Sequence, residues 1–127
     1  MTENQKWLRE ILLKEMTMHV GRSRAIGMGE LYERVYGRPY RSKINGTRGL
    51  RKLVTDLRDE GVAICSIPDS GGGGYYLASA GSELDDYCKK IRSRALKMLA
   101  LESKLRKTTL PLLLDQVQLN LRYSSEV

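Results

Sequence analysis

Arg41, Lys43, Arg48, Arg51 and Lys52 place five cations within twelve residues, and no acidic residue stands between Arg38 and Lys52. A guanidinium offers a planar fork of donors that fits phosphate oxygens or the edge of guanine, and an ammonium neutralises phosphate as a compact charge. Thr55 adds a hydroxyl on the same side of a helix as Arg48 and Lys52. The chemistry these residue types share is recognition of a polyanion.

Most of these side chains must be held by a helix over about 47–60. Leu50, Leu53, Val54 and Leu57 fall on one apolar stripe, with Arg48, Lys52, Thr55 and Asp59 opposite and Arg51 on the flank. Thr47 is the expected N-cap, and Gly61 the expected stop. Basic residues fill the first half of this helix; Asp56, Asp59 and Glu60 fill the second. That order opposes the helix macrodipole, so helix stability does not explain it. A nucleic-acid phosphate near the N-terminal half does, because a recognition helix meets its groove by that end.

Two shorter helices come first. Over about 5–18, Leu8, Ile11, Leu12 and Met16 share a face, and Gly21 is placed to close the helix in a left-handed cap. Over about 29–36, Leu31, Tyr32 and Val35 recur at helical spacing until Gly37. Residues 25–28 read as a short extended piece, and 38–46 as a loop held open by Pro39 and Gly46. Beyond the third helix, 62–67 alternates as a strand, Pro68 to Gly74 turns, and Tyr75-Tyr76-Leu77-Ala78 returns. The expected wing is this hairpin, with Ser70, Gly71, Gly72, Gly73, Gly74 and Tyr75 as its candidate residues. Alternation sends one of Tyr75 and Tyr76 into the core and leaves the other for a backbone contact.

The run Leu57-Arg58-Asp59-Glu60-Gly61-Val62-Ala63-Ile64, followed by Gly74-Tyr75-Tyr76-Leu77, resembles the N-terminal winged-helix domains of biotin-operon and deoxyribose-operon type repressors. Those domains carry Leu-Arg-x-x-Gly-x-x-Ile, a turn, and then Gly-Tyr-x-Leu. The chain is also similar to small phage and prophage proteins that pair such a domain with a basic C-terminal helix. The resemblance implies a mainly α fold with a small β-hairpin wing: a winged helix-turn-helix over 1–80, followed by a long C-terminal helix. It further implies double-stranded DNA as partner, with Arg48, Arg51, Lys52 and Thr55 as groove contacts and Arg41 and Lys43 as phosphate contacts where the helix begins. The chain departs from the pattern at Pro68 to Gly74, which holds no Lys or Arg for a wing to insert. Nothing after the wing reads as an effector-binding domain, so ligand sensing is not implied.

Other chemistries find little footing. Cys65 and Cys88 lack metal-ligand spacing and read as two buried, reduced thiols. His19 stands at a helix end without a nucleophile at catalytic spacing and reads as structural. Gly71 to Gly74 is followed by no Gly-Lys-Ser or Gly-Lys-Thr, which leaves a hairpin tip rather than a nucleotide loop. Asp85 and Asp86 sit in a helix's first turn, where the macrodipole favours acids. No catalytic residue, metal or cofactor is expected.

The 127 residues carry a net charge of +7, which favours a polyanionic partner. Residues 81–107 read as one basic amphipathic helix, opened by the capping-box pattern Ser82-Glu83-Leu84-Asp85 and close to ~40 Å long. A small domain cannot cover its whole apolar stripe. Leu84, Ile91, Met98 and Leu105 are therefore the expected interface, and the same helix of a second chain is the simplest occupant. The tail, 108–127, is too apolar for a solvated end and reads as a short docked helix or a partner-docking segment. Within it, Gln118-Leu119-Asn120-Leu121 is similar to peptides that dock on bacterial sliding clamps, with Arg122 where an apolar residue is usual. No run suits a membrane span or a signal peptide, so a cytoplasmic protein is expected. Two functions fit: a dimeric transcriptional regulator that binds duplex DNA, or an adaptor of a phage or mobile-element replication complex that recruits its partner through the C-terminal helix and tail.

Overall fold

The computed structural model describes residues 2–41, 45–68 and 73–126, with side chains at all of these except 45, 46 and 123–126. Lys43, Ser70, Gly71 and Gly72 lie outside the described residues. The chain divides into two units, Met1–Asp85 and Asp86–Val127.

In the first unit, helix α1 (Glu3–Met16) begins earlier than apolar periodicity suggests because Thr2 and Gln5 form a capping box. The Gln5 backbone N–H donates to Thr2 Oγ1 at 3.2 Å, and the Thr2 N–H donates to Gln5 Oε1 at 3.0 Å. The helix ends at Thr17 rather than at Gly21. Gly21 instead donates its N–H to the Leu77 carbonyl at 2.7 Å with φ +91, and it precedes a 3-10 turn, Arg22–Arg24. Strand β1 is only Ile26–Gly27, and helix α2 (Met28–Tyr36) follows it directly.

Helix α3 (Asn45–Asp59) starts two residues before Thr47, so Thr47 does not cap it. Thr47 is 1% exposed, a small residue facing the core. The C-terminus closes as expected at Gly61 (φ +93), where the Val62 N–H reaches the Leu57 carbonyl at 3.0 Å and the Gly61 N–H the Arg58 carbonyl at 2.9 Å. This is a Schellman motif, and it needs a left-handed residue at that one position.

Strands β2 (Ile64–Ile67) and β3 (Gly74–Leu77) form the hairpin, and β1 pairs with β3 to give an antiparallel sheet of order β1-β3-β2. The register sets Ile26 opposite Tyr75 and Cys65 opposite Tyr76. A Cβ on Gly74 would come within 2.7 Å of the Ile26 carbonyl oxygen, so glycine is what lets β1 close on β3. Tyr75 and Tyr76 are both buried, which corrects the expectation that one of them stands free. Tyr75 joins the core, and Tyr76 lies against Cys65, where burial first and then the thiol push its hydroxyl pKa up.

The core is built from Leu12 and Met16 of α1, Leu31, Tyr32 and Val35 of α2, and Leu50, Leu53, Val54 and Leu57 of α3, closed by Ile26, Ile64 and Tyr75. The result is a mainly helical small domain with a three-stranded antiparallel sheet, in the winged helix-turn-helix order, followed by long helices.

Helix α4 (Gly81–Leu105) starts one residue ahead of Ser82. Glu83 does the work assigned to a capping box, accepting from the Ser79 N–H at 2.9 Å and the Arg22 N–H at 3.2 Å. These bonds hold its carboxyl below the usual carboxylate range. In the second unit α4 ends at a tight turn, with Lys107 in the left-handed region (φ 55). Helix α5 (Leu110–Glu126) is capped by Thr109, whose Oγ1 accepts from the Leu112 N–H at 3.4 Å, and Pro111 sits harmlessly in its first turn. It is a full helix rather than a short one, and it includes Gln118-Leu119-Asn120-Leu121. Among the described residues no helix is long and apolar enough to cross a membrane.

Candidate nucleic-acid interface

Four fully or nearly buried side chains, Leu50, Leu53, Val54 and Leu57, anchor the inner side of α3. Arg48, Arg51, Lys52 and Thr55 are all exposed on its outer side, and Arg41 is exposed in the loop before it. The amphipathic pattern therefore turns the helix as the sequence indicates. Lys43 lies outside the described residues.

Carboxylates compete for these cations only weakly. Lys52 Nζ lies 3.5 Å from Asp56 Oδ1, with the lysine side chain 67% exposed. Such an i, i+4 surface pair is worth about 0.3–0.5 kcal/mol and gives way readily to another anion. Arg48 and Arg51 have no ion-pair partner among the described residues. Glu60, at the far end of α3, is engaged elsewhere: Arg9 Nε donates to its Oε2 at 2.9 Å and Arg9 Nη2 to its Oε1 at 2.6 Å. That bidentate hydrogen bond holds the Glu60 carboxyl below its ordinary range.

Two nearby arginines are committed to the scaffold. Arg38 Nε donates to the Tyr32 hydroxyl at 2.8 Å, and its guanidinium stands 5.8 Å from the Tyr32 ring centre and 5.5 Å from that of Tyr36. Arg58 Nε donates to the Ile64 carbonyl at 2.7 Å, tying α3 to β2. The basic run is thus divided into cations that build the domain and cations that are left on its surface.

Sequence reading overlooked Tyr36. Its ring stacks on Tyr32 at 4.6 Å, and its hydroxyl lies 2.8 Å from where a Cβ on Gly49 would stand. Burial pushes the phenol pKa up, with Tyr32 adding to the shift and Arg38 opposing it, so the group remains a neutral hydroxyl beside the basic helix. The available signal was Gly49 itself, since a glycine inside an otherwise regular amphipathic helix marks close approach.

Of the expected wing residues that are described, Gly73 turns with φ +70, Gly74 and Tyr75 belong to β3, and Tyr75 is buried. The expected interface residues Leu84, Ile91, Met98 and Leu105 are all exposed, by 39%, 49%, 74% and 75%. Neither cysteine is in a disulfide; Cys65 is buried, whereas Cys88 is exposed on α4, which corrects the reading of two buried thiols. The ring nitrogens of His19 lie 2.9 Å from the Arg24 carbonyl oxygen and 3.0 Å from Glu15 Oε1, a structural engagement at the end of α1. Among the described residues no three His, Cys, Asp or Glu side chains are grouped to hold a metal ion.

Comparison with protein-family models, curated proteins and solved structures returns no match.

Proposed function

We propose that this chain binds double-stranded DNA as a regulator of transcription, with the outer flank of α3 in the major groove. The observation that carries this reading is the state of Arg48 and Arg51: both are exposed and, among the described residues, without a carboxylate partner, on a helix whose other side is locked into the core. Phosphate neutralisation by Arg41, Arg48, Arg51 and Lys52 would supply affinity, and the fork of whichever α3 arginine reaches a guanine edge would supply sequence preference. The wing, Pro68 to Gly74, offers no cation and one acid, Asp69, which leaves α3 and the loop before it to carry the electrostatics.

Titration of a labelled duplex with the full chain across a range of salt concentrations tests the proposal. Affinity should fall steeply, because each neutralised phosphate adds about 0.9 to the slope of log affinity against log salt. A flat salt response would overturn it.

A second reading is favoured by the bare apolar stripe of α4. On it the domain is an adaptor of a phage or mobile-element replication complex, and the C-terminal helices recruit a partner protein. The two roles are compatible, because they use different surfaces of the chain.

A further inference from the structure

We infer that the exposed seam of α4 docks an acidic amphipathic helix of another protein, in preference to a second copy of this chain. The inference uses α4 alone and does not depend on the DNA reading.

Leu84, Ile91, Met98 and Leu105 recur every seven residues, and Leu101 (58% exposed) fills the second seam position of its heptad. The spacing is that of a coiled-coil seam, narrower than the broad apolar face of a helix that lies on a lipid surface. Of the less exposed positions of the helix's second half, Leu99, Ala100 and Ser103 fall on its other side and only Glu102 borders the seam, so the seam is not the face this helix chiefly uses within its own unit.

The charges decide the occupant. Lys90, Lys97 and Lys104 form a row along one edge of the seam, also at seven-residue spacing, and Arg94 occupies a seam position at mid-helix. In a parallel pair of identical helices, Arg94 would face its own copy. Only Lys97 against Glu102 would offer opposite charges there, a surface pair too weak to offset two facing arginines. In an antiparallel pair the lysine row would meet the lysine row. Like charges held opposite each other are the standard device by which coiled coils reject a partner. A helix with Leu or Ile in its seam and Glu or Asp along its edges meets neither obstacle: its acids face the lysine row and Arg94, and its apolar residues fill the gaps between Met98, Leu101 and Leu105.

The test uses the full chain and two synthetic four-heptad peptides. Both carry Leu in the seam; one has Glu at every edge position and its twin has Lys. By fluorescence anisotropy the acidic peptide should bind at least about tenfold tighter than its twin, a difference of ~1.4 kcal/mol. Met98→Ser should abolish that binding, and it leaves the core untouched because Met98 is exposed. Lys90→Glu/Lys97→Glu/Lys104→Glu should reverse the preference toward the basic twin. Arg48→Ala/Arg51→Ala should leave peptide binding unchanged, which separates this surface from the one proposed for DNA. Equal binding of the two peptides would overturn the inference, as would an unreversed preference in the charge-swapped variant. So would a dimer in light scattering that Met98→Ser splits, or binding to phosphatidylglycerol vesicles with no binding of the acidic peptide.

Discussion

The Tyr36 hydroxyl occupies the space that a side chain on Gly49 would need, 2.8 Å from the position of its Cβ. This contact fixes how closely α2 and α3 approach next to Arg48. It sets two effects against each other, because alanine favours an exposed helix over glycine by about 0.5–1 kcal/mol while its methyl would press on the Tyr36 hydroxyl. Gly49→Ala should therefore gain little or lose stability in the wild-type chain. In a Tyr36→Phe background the nearest remaining atom is 3.8 Å away, and the same substitution should stabilise. Denaturant unfolding of the four proteins should show a coupling of about 1 kcal/mol; strict additivity would exclude the contact.

Glu15 makes stability depend on pH. Burial pushes its carboxyl up, but hydrogen bonds with His19 and from Arg34 (Nη1 to Oε1, 2.9 Å) outweigh it and hold the group below its usual range. The unfolded chain takes up a proton near pH ~4.3, and the folded chain only at lower pH. The stabilisation is therefore complete above the unfolded value and is lost as pH falls toward the folded one. Glu15→Gln should cost about 1 kcal/mol near neutrality and make the fall in melting temperature on acidification shallower. Glu60 and Glu83 are depressed in the same direction, so the acid limb should flatten without vanishing. An unchanged acid limb in the variant would contradict this account.

The two thiols should differ sharply in reactivity. Cys88 is exposed on α4, whereas Cys65 is fully buried in β2. A maleimide should label one site rapidly in the folded protein and the second only on unfolding, with Cys88→Ser removing the fast site. Rapid labelling of both would place Cys65 outside the core.

Local signals made much of this fold legible. The apolar stripe of α3, the glycine that ends it, and the hairpin beyond all follow from a few neighbouring residues. Less visible were features set by tertiary contact. Strand β1 is two residues long, too short for any period to show, and only its pairing with β3 defines it. Thr47 resembles a cap by residue type, yet its burial takes it inward. Tyr75 and Tyr76 do alternate, but both faces of the sheet are covered at that point. At the site, the outward placement of Arg48, Arg51, Lys52 and Thr55 could be read from the helical period, whereas the withdrawal of Arg38 onto tyrosines 32 and 36 could not, because that cluster forms only when α2 packs.

Lys107 stores a small strain. It sits left-handed at the end of α4, in a second Schellman turn where the Thr108 N–H reaches the Ser103 carbonyl at 2.9 Å. A side chain in that region costs about 1–2 kcal/mol relative to glycine. Lys107→Gly should raise the stability of the C-terminal helical unit by about 0.5–1 kcal/mol, read as slower hydrogen exchange in α5; faster exchange would show that the lysine side chain is needed there.

The claim that α3 carries a nucleic-acid surface is tested most directly by comparing salt slopes for duplex binding. Arg48→Ala/Arg51→Ala should weaken binding and reduce the slope by about 1–2, the contribution of the phosphates those arginines neutralise, while Lys90→Ala/Lys97→Ala on α4 should leave the slope as it is. A slope unaffected by loss of both arginines, or one that falls only with the α4 substitutions, would contradict the account.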